Sequence, residues 1–140
     1  MSKVLPPPDE SPLVAWGRLY PGVRFYEGIQ DELLVSLAED CAKLLAKKGP
    51  KGYRWDGHPD WDERYAKIRQ QLNMRAVEVS AQADANLADA PEAEVVKNLY
   101  DAWRLSKGHW GVVSKPHKRF GDGLARSKGG VWYGCLIVAD

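Results

Sequence analysis

The sequence predicts an α/β fold, a three-layer α-β-α sandwich with a mainly antiparallel central sheet. Two observations carry the prediction. The run Val131 to Ala139 is apolar almost throughout, as in a strand buried on both faces. Three upstream segments carry apolar residues at helical spacing, and helices are the elements available to cover such a sheet on each side.

The 140 residues suffice for one domain with a sizeable core. Residues 1–27 read as an N-terminal arm, proline-rich at first and then irregular, with Trp16, Tyr20, Phe25 and Tyr26 laid over a core. Residues 28–140 read as the domain itself. A first helix is expected from about Gln30 to Lys48, where Leu33, Leu34, Leu37, Cys41, Leu44 and Leu45 recur at helical steps. Asp31 and Glu32 open it, Lys47 and Lys48 close it as the helix dipole favours, and Gly49-Pro50 stops it. Tyr53 and Trp55 then serve as packing aromatics in a connection.

A second helix is expected to run to about Leu72, with Asp60 as candidate cap and a stripe of Trp61, Tyr65, Ile68 and Leu72. Arg75 to Gln82 alternates like a strand. A third helix, Glu94 to Trp103, shows one apolar face of Val95, Val96, Leu99, Tyr100 and Trp103. Gly108 is expected to end it, leaving His109 at its exit. Phe120 to Ala125 is a glycine-punctuated strand, and Ser127 to Gly130 a hairpin turn into the last strand.

Composition excludes several classes. The formal charge of +1 gives no global pull toward nucleic acid or anionic membrane. No apolar run approaches the roughly 20 residues that cross a bilayer. Met1 to Glu10 lacks the apolar core of a secretory signal, and the compartment and oligomeric state stay open. Cys41 and Cys135 read as two buried free thiols; a bridge between them requires the first helix to lie over the last strand.

Few residues carry chemistry. Of three histidines, His58 lies just before the second helix and His109 just after the third. Glu78, between Val77 and Val79, is an acid in a half-buried strand, and it needs a cation, a metal or several donors. His117 sits among Lys115, Lys118 and Arg119 in what reads as a solvated loop. A serine nucleophile at Ser106 or Ser80 lacks a glycine-flanked elbow, and mid-helix Cys41 does not suit a reactive thiolate.

The stretch Trp103-Arg104-Leu105-Ser106-Lys107-Gly108-His109 resembles the bacterial W-x-x-S-x-G-H motif of the CAP superfamily, the SCP-like domain of cysteine-rich secretory proteins, antigen-5 and pathogenesis-related proteins. A glycine-flanked strand, a turn and a final aromatic-apolar strand follow, as in that family. His58 falls at the family's first histidine and Glu78 at the acid of its G-E-N motif, although Val77 and Val79 break that signature. Ser106 stands where eukaryotic members carry a second acid.

The resemblance implies an α-β-α sandwich with a cleft holding His58, Glu78 and His109, a set suited to zinc or another divalent metal with one position open. Ser106, Trp110 and Tyr65 would line that cleft. Its members are usually secreted and functionally diverse. The expectation is a binding module for a small molecule, lipid or peptide. A metal-dependent hydrolase with Glu78 as base, or an interaction domain without metal, are the alternatives.

Overall fold

The computed structural model describes residues 10–51 and 56–140. The proline-rich start of the arm and the predicted packing of Tyr53 and Trp55 lie outside these residues. The described residues form five α-helices, α1 (Pro12–Gly17), α2 (Glu32–Lys48), α3 (Trp61–Leu72), α4 (Glu92–Arg104) and α5 (Lys107–Val113). Four strands, β1 (Ile29–Gln30), β2 (Ala76–Gln82), β3 (Arg119–Arg126) and β4 (Trp132–Ala139), make one sheet in the order β1-β3-β4-β2.

The sheet is mixed, which corrects the expectation of a mainly antiparallel one. β4 runs antiparallel to both β2 and β3, but β1 runs parallel to β3. A two-residue strand carries no readable period, so Ile29 and Gln30 had merged with the helix that follows. The start of α2 is fixed by Asp31, whose carboxylate accepts from the Leu33 and Leu34 amides. Asp31 also pairs with Arg119 at 2.9 Å, tying the helix start to the start of β3.

Side chains of β4 alternate between two apolar clusters. Leu136 and Val138 join Leu13, Phe25, Val95, Leu99, Tyr100 and Trp103, from the arm and α4. Cys135, Ile137 and Ala139 join Leu34, Leu37, Ala38, Cys41, Leu45 and Ile68, from α2 and α3. Burying each large aliphatic residue contributes about 1.5–3 kcal/mol. α2 lies very close to β3: a Cβ on Gly121 would come within 2.1 Å of the Leu34 carbonyl carbon, and one on Gly123 within 2.6 Å of the Ala38 carbonyl oxygen. Glycine there is what lets the helix backbone settle on the strand.

Two local readings change. Pro12–Gly17 is a helix where an irregular segment was expected, its Leu13 carbonyl accepting from the buried Tyr100 hydroxyl. His109 does not sit at a helix exit. α4 ends at Arg104, Ser106 turns extended, and its hydroxyl accepts from the His109 amide as the N-cap of α5. Gly108 lies inside α5 without a left-handed backbone. The serine of the motif therefore starts a helix, and the glycine does not stop one.

Candidate functional site

β2 and β4 pair with Glu78 opposite Ile137, so the Glu78 side chain points into the cluster beneath α2. The carboxylate is almost fully buried, at 1% side-chain exposure, and among the described residues three side chains supply hydrogen bonds to it. Arg64 of α3 grips it with both prongs, Nε to Oε2 at 2.8 Å and Nη2 to Oε1 at 2.7 Å. His58 Nδ1 lies 3.0 Å from Oε1, and the Cys41 thiol donates to the same oxygen at 3.4 Å.

Arg64 is thus the cation that the buried acid required, and the sequence reading passed over it. Its signal was position: it comes three residues after Trp61 and four before Ile68, on the buried stripe of α3. Burial works against its charge, but the hydrogen bonds and charge of Glu78 win and hold the guanidinium above its ordinary value. Arg64 also donates to the Pro59 carbonyl, so one side chain fixes both Glu78 and the loop carrying His58.

A carboxylate only accepts, so the hydrogen of a neutral His58 sits on Nδ1 and Nε2 keeps its lone pair. His58 and His109 line one hollow of about 250 Å³, together with Ser80, Gln82 and Tyr133. Burial, and then the charge of His58, lowers the pKa of His109 and favours its neutral imidazole. Ser80 donates to the Gly57 carbonyl at 2.7 Å, and its own carbonyl accepts from Trp103 Nε1 at 3.0 Å. The W-x-x-S-x-G-H tryptophan thereby braces the strand under the hollow.

The remaining expected cleft residues lie elsewhere. Tyr65 packs on Trp61 with ring centres 5.6 Å apart, and Trp110 on Tyr20 at 5.9 Å. Ser106 is occupied in capping α5. None of the three lines the hollow shared by the histidines. His117 is no loop ornament: its ring nitrogens meet Asp140 Oδ2 at 2.7 Å and the Val112 carbonyl at 2.8 Å, joining α5 to the end of β4.

A second group with metal-ligating chemistry lies beneath the first. Cys41, Glu78 and Cys135 are all buried and present ligand atoms within 4.8 Å of one another, a spacing that could hold a metal ion. Among the described residues no helix is long and apolar enough to cross a membrane. No protein-family model matches this chain, and neither a curated protein nor a solved structure does.

Proposed function

We propose that the protein is a CAP-like binding module, an α-β-α sandwich whose cleft is built on His58 and His109. The single observation that carries this reading is the hydrogen bond from His58 Nδ1 to a Glu78 carboxylate locked by Arg64. Carboxylate–histidine pairs of this kind fix the tautomer and raise the basicity of a metal-ligating imidazole. In this arrangement the two imidazoles bind zinc or a similar divalent metal. Glu78 orients His58 instead of coordinating, because Arg64, His58 and Cys41 already supply hydrogen bonds to both of its oxygens. The open coordination positions then take a small molecule, lipid or peptide.

The same saturation disfavours the hydrolase alternative. A general base must reach the proton it removes, and Glu78 has no free face toward the hollow. The buried Cys41–Glu78–Cys135 group supports one other reading, a metal held by thiolates.

Calorimetric titration of the metal-free protein with zinc, beside His58→Ala and His109→Ala, tests the proposal. Micromolar or tighter binding lost in both variants is expected, with Glu78→Gln weakening it by about 10–100-fold. Binding untouched by either histidine change sinks the imidazole site. A cobalt-substituted protein then identifies a thiolate site by its sulfur-to-metal charge-transfer absorption.

A further inference from the structure

Cys41 lies mid-helix in α2 and Cys135 within β4, and α2 lies across that strand, which is the one arrangement that lets the two residues meet. Both side chains are wholly buried, both are free thiols, and their sulfurs are no more than 4.8 Å apart. Bonding asks the sulfurs to close from at most 4.8 Å to the roughly 2.05 Å of a disulfide. We propose that Cys41 and Cys135 form an intramolecular disulfide when the chain folds in the presence of a small disulfide oxidant, stapling α2 to β4.

The chemistry balances with oxidised glutathione as the oxidant. One protein thiolate attacks it, forming a mixed disulfide and expelling one glutathione thiolate. The second protein thiolate attacks the protein-side sulfur and expels the other. The protein loses two thiol protons and two electrons, and the oxidant becomes two glutathione thiols.

Burial sets when this happens. In the folded protein, burial first, then the Cys41 hydrogen bond and the charge of Glu78, push the Cys135 thiol well above its ordinary range. Thiolate is scarce there and oxidant has no access, so the folded reduced form is inert to surface reagents. The bond is made while α2 and β4 are docking, and once made it is shielded from reductants. The redox medium during folding therefore selects one of two lasting forms.

A bound metal is a poorer use of this thiol pair. It would need both thiols ionised beside a carboxylate already gripped by Arg64. The disulfide needs no third ligand. It does remove the Cys41 donor from Glu78, the residue that orients His58. That last consequence rests on the cleft reading above, whereas the staple does not.

The test is to unfold the full chain and refold it with an oxidised and reduced glutathione pair, or with dithiothreitol. Mass, alkylation under denaturing conditions and peptide mapping then report the bond. Expected after oxidative refolding is a monomer lighter by two hydrogens, with no alkylatable thiol and a linked Cys41–Cys135 peptide. It should show native near-ultraviolet circular dichroism and a melting temperature several degrees above the reduced form. Thiols that stay alkylatable, linkage only between chains, or a linked monomer that has lost native structure or melts lower would each overturn the staple. Zinc titration of both forms is a separate readout: no zinc binding in either removes the cleft reading and leaves the staple standing.

Discussion

Glu78 and Asp122 are two buried acids on the strands that flank β4, and the protein treats them in opposite ways. Their register partners are adjacent, Ile137 and Leu136, so they point to opposite faces of the sheet. Glu78 meets Arg64, His58 and Cys41. Asp122, 3% exposed, has an Oδ1 with no hydrogen-bond partner among the described residues, and the buried Ser11 hydroxyl also has none. Burial pushes the Asp122 carboxyl up to about 6, and the nearby Ser11 hydroxyl, which forms no well-aligned bond, offsets only part of that rise. The comparison teaches that burial alone does not mark a functional acid. What distinguishes Glu78 is that one of its partners, His58, itself borders a hollow.

The largest effect should come from breaking the satisfied side. Arg64→Met leaves the Glu78 charge buried without its counter-ion, and chemical denaturation is expected to show a loss of about 3–5 kcal/mol. Adding Glu78→Leu should recover a large part of that loss, since the double variant buries no unpaired charge. A single-variant loss below about 1 kcal/mol would mean that Glu78 reaches water and that the contrast with Asp122 is false.

The unsatisfied side is tested by pH. An exposed aspartate titrates near 4, whereas Asp122 in the folded chain titrates at about 6. Between those values the folded chain keeps a proton that the unfolded chain has released, so stability falls as pH rises through this window. Above it the cost is on the order of 3 kcal/mol, and below it the cost vanishes. Asp122→Asn removes the dependence, so its stability relative to the parent should rise by about 2 kcal/mol from pH 4 to pH 7. A difference that stays flat with pH would show that Asp122 is solvated or paired.

The smallest effect sharpens the same point. Ser11 occupies the N-cap position of α1, but its side chain makes no capping bond. Ser11→Ala should therefore change stability by less than about 0.5 kcal/mol, below the roughly 1 kcal/mol usual for a capping serine. A larger loss would assign the hydroxyl a partner, with Asp122 the first candidate to examine.

Much of this was legible beforehand, for stated reasons. The stripes of α2 and α4 and the hairpin of β3 and β4 follow from local periodicity and turn chemistry, and Val95, Val96, Leu99, Tyr100 and Trp103 are all buried in the structure. Glu78 was legible as an acid needing partners, because a strand's alternation puts it on a covered face. Arg64 escaped because only apolar residues had been counted on the α3 stripe. Asp122 escaped because its neighbours, Gly121 and Gly123, show no side chains from which burial can be inferred.

By itself, the sequence determined the three long helices α2, α3 and α4, the long strands, the special position of Glu78 and the place of His58 just before α3. Only the tertiary structure decided that β1 joins β3 in parallel, that Arg64 is the counter-ion and that the two histidines share a hollow. It also decided that Cys41 meets Cys135. The physical reason is range. Periodicity, caps and turns act over a few residues and leave a trace in the chain, whereas ion pairs and thiol contacts depend on how whole elements dock, which no local pattern records.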